Sequence, residues 1–322
     1  MKTSLKEEIS LSSSAAAWLT LRLRAVVPEK KTARAALLLH GATLAGFIFD
    51  LPVAGASFQE RLAETGFASY ALDARGYGRS TRPQPGEAGC AEDQPFGCAR
   101  EVVDDVVDAV RYLREERGHS EVALIGFSWG SVCAGLYASR FADDLDRLIL
   151  CAPIHACRND RWLHGLRDPV DPTRLDRTFG AYRWTTAEGL RARWDADMPH
   201  AGVQAWRDPA VLDAVLANAL ASDPLSSTRS PPAFRAPNGS FADLFEAFSG
   251  RAGFDASRIR APALLLRGEA DTTASDDDAR GLMKQLGSNA KRYRIIAAGG
   301  HFQCLEQSMP RMFDACAEFL VG

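Results

Sequence analysis

Six short apolar runs constrain this fold more than any other feature of its sequence. They are Ala36–Leu39, Ala68–Leu72, Val122–Phe127, Leu148–Leu150, Ala263–Leu266 and Arg294–Ile296. Runs so short and so continuously apolar suit strands covered on both faces, and parallel strands of that kind are joined by crossover helices. Such a crossover is readable between residues 100 and 117. There Val103, Val106, Val107, Val110 and Leu113 recur at helical spacing, with Asp104, Asp105, Asp108 and Arg111 between them. The pattern predicts an amphipathic helix packed on a sheet and stopped by Gly118. Met312, Phe313, Cys316, Phe319 and Leu320 predict a second, C-terminal one. The class is therefore α/β, with a mostly parallel central sheet flanked by helices.

Residues 155–258 break the rhythm. They hold Trp162, Trp184, Trp194 and Trp206, several Asp-Pro and Pro-Pro breaks, and no parallel-strand run. Segments such as Val211–Leu220 read as helices, so the stretch is expected to be a helical insertion, placed as a lid over the carboxyl edge of the sheet. Thirteen Arg face thirteen Asp plus Glu there, with no Lys. The core is then 1–154 together with 259–322, interrupted by the insertion at 155–258.

Gly126-Phe127-Ser128-Trp129-Gly130 follows one predicted strand and precedes a helical run, Ser131–Phe141. Glycines two residues either side of the serine permit a tight strand-to-helix turn that lifts the Ser128 hydroxyl above the sheet. A serine hydroxyl needs a base to take its proton, and the base needs an orienting carboxylate. The ends of later strands offer both. Gly268-Glu269-Ala270-Asp271 follows the run at 263–266, and Gly299-Gly300-His301-Phe302 follows that at 294–296. Asp271 is favoured over Glu269, and the trio Asp276, Asp277 and Asp278 reads as the solvated first turn of a helix. His301 is favoured over His119, expected to be exposed, and over His155, His164 and His200 in the insertion. His40-Gly41-Ala42 closes the first strand. Its Ala42 N–H, with the N–H of Trp129, is expected to form an oxyanion hole, while His40 braces the loop.

Charge and composition exclude other classes. Thirty-eight basic against forty-one acidic residues give −3, which argues against a nucleic-acid or polybasic membrane-surface partner. No apolar run approaches the ~20 residues of a membrane span. The N-terminal segment carries Glu7 and Glu8 and no apolar block, so no secretory signal is read and a cytoplasmic location is expected. Seven scattered cysteines read as reduced thiols, with Cys90 and Cys98 the one suggestive pair, in a Gly/Pro-rich loop over 82–99 of unassigned purpose. Close metal-ligand pairs are absent, and no cofactor is implied.

Taken together, His40-Gly41, Asp73-Ala74-Arg75-Gly76-Tyr77-Gly78-Arg79-Ser80, the Ser128 motif, the Asp271 loop and the His301 loop resemble the α/β-hydrolase fold over residues ~33–320. The likeness is to its lid-bearing esterases and monoacylglycerol-lipase-like enzymes. It implies a structural turn for Asp73, Arg75 and Arg79. It also implies acyl transfer with Ser128 as nucleophile, His301 as base and Asp271 as orienting acid. Serine at 128 argues against the dehalogenase and epoxide-hydrolase branches, whose enzymes use aspartate there. An ester with an apolar or aromatic part is the expected small-molecule substrate, lodged among the insertion's tryptophans and Phe47, Phe49, Phe179 and Phe241. A thioesterase or acyltransferase, a carbon–carbon hydrolase or lyase, and a non-catalytic ligand-binding module stay open. Oligomeric state is not readable.

Overall fold

A computed structural model describes residues 4–198, 202 and 206–322. The strands are β1 (Ser4–Ser12), β2 (Thr20–Pro28), β3 (Arg34–Leu39), β4 (Ala68–Asp73), β5 (Glu121–Phe127), β6 (Arg147–Cys151), β7 (Tyr182–Thr186), β8 (Ala233–Pro237), β9 (Ala263–Gly268) and β10 (Lys291–Ile296). Eight of them form one sheet in the order β1-β2-β4-β3-β5-β6-β9-β10. From β4 to β10 every pairing is parallel, with Leu37 opposite Tyr70, Leu39 opposite Gly126 and Ile149 opposite Leu264. These are the six apolar runs; those in β3, β4, β5, β6 and β9 build the buried core, while the edge strand β10 is largely exposed and buries only Ile296.

The helices are α1 (Phe58–Glu64), α2 (Ala99–Glu115), α3 (Trp129–Arg140), α4 (Asp160–Leu166), α5 (Ala187–Ala196), α6 (Pro209–Ala221), α7 (Gly239–Phe248), α8 (Asp276–Gln285) and α9 (Met309–Val321). α2 and α9 are the two amphipathic helices expected from spacing, and Gly118 ends the first at φ 73°. The turn after β4 is held as a structural motif. Asp73 accepts from the N–H groups of Gly46 (2.8 Å) and Arg79 (2.9 Å), and Arg75 forms a buried ion pair with Asp105 at 2.7 Å. Gly78 (φ 53°) is required, because a Cβ there would lie 2.0 Å from Asp73 Oδ2.

Four expectations need correction. The resemblance began near residue 33, yet β1 and β2 are strands of the main sheet, joined to it through the antiparallel β2–β4 pair. The insertion is not purely helical, since β7 and β8 form a separate two-stranded antiparallel sheet. His119 is buried, its ring between the Tyr70 hydroxyl (2.8 Å) and the Thr32 carbonyl (2.9 Å). Asp276 and Asp277 do begin α8, but Asp278 is buried and accepts from the N–H groups of His155 and Ala156, both at 2.9 Å.

All seven cysteines are free, Cys90 and Cys98 included. The loop over 82–99 ties the insertion to the core. Cys90 and Phe96 pack with Ala181, and the Phe96 carbonyl accepts from Gly239 N–H at 2.8 Å. Among the described residues no helix is long and apolar enough to cross a membrane.

Candidate active site

Ser128 joins β5 to α3 at φ 55° and ψ −121°, a left-handed φ that a serine adopts only at a cost in strain. The surrounding close packing explains the two glycines. A Cβ on Gly126 would lie 2.2 Å from the Gly130 carbonyl oxygen, and one on Gly130 would lie 2.4 Å from that of Leu39. The turn is fixed from below, where Ser128 N–H donates to the Cys151 carbonyl at 2.8 Å.

Ser128 Oγ stands 2.9 Å from His301 Nε2, and His301 Nδ1 stands 3.0 Å from both carboxylate oxygens of Asp271. All three residues are buried. Because an ionised carboxylate only accepts, Nδ1 carries the imidazole proton and Nε2 is left to accept from the serine. Asp271 is itself immobilised. Its Oδ1 accepts from the N–H groups of Thr273 (2.8 Å) and Ala274 (2.9 Å), and Arg267 donates to its backbone carbonyl at 2.7 Å. Burial works against charge on His301, but the adjacent Asp271 carboxylate outweighs it and holds the imidazolium pKa above its ordinary value.

The competing residues lie elsewhere. Glu269 is exposed and accepts from Ala298 N–H at 3.0 Å. His155 packs on Phe254, His164 is exposed, and His200 lies outside the described residues.

His40 acts on the backbone beside this chain. Its Nε2 accepts from Ala74 N–H (3.2 Å), so the ring proton sits on Nδ1, which donates to the Gly41 carbonyl (2.8 Å). That carbonyl belongs to the same peptide plane as the Ala42 N–H, so His40 fixes where that N–H points. The following carbonyl, of Ala42, accepts from Tyr77 Oη (2.8 Å), Ser240 Oγ (3.2 Å) and Arg183.

A cleft of about 400 Å³, open to solvent, lies over Ser128 and His301. Leu44, Ile48, Phe127, Trp162, Leu244 and Phe302 give it apolar walls, and Ala42 and Arg193 also line it. Of the aromatic residues expected there, only Trp162 arrives. Phe47 and Phe49 point into the core while Ile48 between them faces the cleft, and Trp194 is buried behind Phe302 at 4.9 Å. Phe179 and Phe241 are partly buried and pack edge-on against each other.

Four polar side chains about this site escaped sequence reasoning. Glu306 accepts from Gly300 N–H at 2.5 Å beneath the His301 loop, and burial pushes its carboxyl up to about 7. Asp243 of α7 accepts from Trp129 Nε1 (2.8 Å) and Ala99 N–H (2.7 Å), and burial pushes it likewise to about 7. Arg183 and Arg193 both donate to Thr43 Oγ1, at 3.3 and 3.2 Å. A signal existed for Arg193. It occupies the inward stripe of α5 with Leu190 and Trp194, where a basic residue is out of place.

Comparisons with known proteins agree with this architecture. The family model described as serine aminopeptidase, S33 matches residues 54–308. No curated protein sequence matches the chain. Among solved structures, an esterase from Exiguobacterium antarcticum superposes with a TM-score of 0.66 at 13% identity, covering 98% of this chain and 100% of that one. A thermophilic esterase from Thermogutta terrifontis gives 0.66 at 19% identity, covering 98% of each chain. An enol-lactonase from Burkholderia xenovorans gives 0.65 at 18%, covering 98% of this chain and 100% of that one. At these identities the structural likeness speaks for the fold, while the family match spans most of the sequence. The chain belongs to the serine aminopeptidase S33 family of α/β-hydrolases.

Proposed function

We propose that this hydrolase cleaves carboxylic esters through a Ser128–His301–Asp271 triad and an acyl-enzyme intermediate. The observation that carries the assignment is the buried, unbroken hydrogen-bond chain from Ser128 Oγ through His301 to Asp271 at the floor of the cleft. His301 takes the serine proton as Oγ attacks the ester carbonyl, and Asp271 steadies the imidazolium that forms. The N–H groups of Ala42 and Trp129 hold the oxyanion, the first aimed by His40 and the second at the start of α3. His301 returns the proton to the leaving alcohol. Water, deprotonated by the same imidazole, then releases the acid.

Trp162, Arg193 and Leu244, all from residues 155–258, line the cleft, which supports the insertion's role as a lid that selects substrate. The apolar walls suit an ester with an aliphatic or aromatic part. An aminopeptidase would need an anion to hold the substrate ammonium group. The cleft lining contains no carboxylate among the described residues, and its charged side chain is a cation, so ester cleavage is the better fit.

A panel of p-nitrophenyl esters of graded acyl length, run beside thioester and lactone substrates, tests the assignment. Wild type turns over the esters, and Ser128→Ala loses at least a thousandfold in kcat. Full turnover by Ser128→Ala would end the mechanism.

A further inference from the structure

The thirteen-to-thirteen charge balance of residues 155–258 is not evenly spread. Arg158, Arg161, Arg167, Arg174, Arg207, Arg235 and Arg251 each meet a carboxylate within 4 Å. Among the described residues Arg177, Arg191, Arg229 and Arg258 have no such partner but are exposed to water, whereas Arg183 and Arg193 lack one while partly buried. Among the described residues neither has a carboxylate at ion-pair distance, and the residues outside that set, 1–3, 199–201 and 203–205, include no Asp or Glu. The nearest acid to act on Arg193, Asp197, is engaged by Arg161 at 3.0 Å.

These two cations are also placed against each other. Both donate to Thr43 Oγ1, and both lie over the face of Phe241, at 3.7 Å for Arg183 and 5.9 Å for Arg193. Burial and the neighbouring Arg193 charge together lower Arg183 to about 10, and burial lowers Arg193. Two like charges in a partly dry site repel and are expensive to keep without an anion.

Their donors are used differently. Arg183 is committed to the protein, reaching the carbonyls of Pro237 (2.7 Å) and Ala42, together with Asn238 Oδ1, Ser240 Oγ and Thr43 Oγ1. Arg193 gives one hydrogen bond, to Thr43, stacks on Trp162 at 4.5 Å, and lines the cleft beside Ser128. Its remaining N–H donors have no protein acceptor among the described residues. One free guanidinium fork, backed by a second fixed positive charge, matches the two coplanar oxygens of a carboxylate.

We infer that Arg193, backed by Arg183, forms a carboxylate-binding subsite, so that the ester cleaved at Ser128 carries a free carboxylate on its acyl or alcohol part. The inference rests on the ester-hydrolase assignment and names its substrate class. The apolar walls receive the carbon skeleton and Arg193 fixes its charged end.

Two isosteric substrate pairs test it. Phenyl hydrogen glutarate against phenyl glutaramate places the charge on the acyl side, and 3-acetoxybenzoate against 3-acetoxybenzamide places it on the alcohol side. In wild type the anionic member of at least one pair has a kcat/KM roughly tenfold higher or more, the scale of one charge-assisted hydrogen-bonded pair. Arg193→Gln brings that ratio to near one, and Arg193→Lys keeps part of it. The ratio is taken within one protein sample, so a loss of folded material cancels. If Arg193→Gln yields no folded protein, protection decides instead: glutarate, but not neutral glutaramide, slows fluorophosphonate labelling of wild-type Ser128. The subsite is overturned if neither pair favours the anion, or if Arg193→Gln leaves the preference intact. In either case labelling of Ser128 and turnover of the neutral esters leave the ester-hydrolase assignment standing. Absence of both labelling and turnover removes the two together.

Discussion

At the scale of single residues, Ser128 concentrates the opposition between stability and function. Its left-handed φ of 55° places the hydroxyl against His301 at the expense of backbone strain. Glycine adopts that conformation freely. Ser128→Gly is therefore expected to raise stability by about 1 kcal/mol in urea denaturation while abolishing ester turnover. A drop in stability would show that the turn is unstrained. His301 supplies the pH dependence. As a base it must be neutral, and its folded pKa lies above the ordinary 6.5 because Asp271 stabilises the imidazolium. Thus kcat/KM rises with pH along a limb whose midpoint lies above 6.5. In Asp271→Asn the midpoint falls and the plateau drops by orders of magnitude, as measured by pH–rate profiles of both proteins. The same shift has a stability consequence of opposite sense. The Asp271–imidazolium contribution is complete below the unfolded pKa near 6.5 and is lost as pH rises through the higher folded value.

Among elements, specific polar contacts tie the insertion to the core. Asp243 of α7 accepts from Trp129 Nε1 on α3 and from the first N–H of α2, Ala99. Removing it leaves two buried donors unpaired at once. Asp243→Ala should lose about 2 kcal/mol in urea denaturation, with the exposed Glu188→Ala of α5 unchanged within about 0.5 kcal/mol. Equal midpoints for the two variants would contradict that role. Elements also show what the sequence could express. The parallel strands were legible because burial on both faces forces continuous apolar runs such as Leu37–Leu39 and Leu264–Leu266. The antiparallel strands at one end of the sheet carry no such signature. β1 is largely exposed and alternates Lys6, Glu7 and Glu8 with Ile9 and Leu11, and β2 alternates Leu21 and Leu23 with Arg22 and Arg24. Their alternation is a half-buried pattern, easily passed over beside stronger signals. β7 and β8 were hidden for another reason. Their pairing joins Tyr182 to Pro237 across more than fifty residues, so neither strand carries a local hairpin turn.

Across the whole molecule, motif order and sheet topology agree because each site residue sits where a parallel strand ends. Ser128 follows β5, Asp271 follows β9 and His301 follows β10, so residues far apart in sequence meet at one carboxyl edge. That convergence was readable from the motifs and from where the strand runs end. The cleft above it was not. Its walls depend on how α4, α5 and α7 fold back over the sheet, which brings Trp162, Arg193 and Leu244 to Ser128 and leaves Phe47, Phe49 and Phe241 out of the lining. A balanced count of charges in the insertion likewise hid two cations gathered at one place. The chain thus divides into a sheet whose sequence declares where its candidate site lies and an insertion whose three-dimensional arrangement supplies part of the cleft lining. The central claim is that Ser128 is a nucleophile activated by His301. Fluorophosphonate treatment of the native protein, followed by intact-mass and peptide mass spectrometry, tests it most directly. The account predicts a single adduct on Ser128, slowed in His301→Ala and absent in Ser128→Ala. An unmodified Ser128 in folded wild-type protein, or labelling that persists at the same rate in His301→Ala, would contradict it.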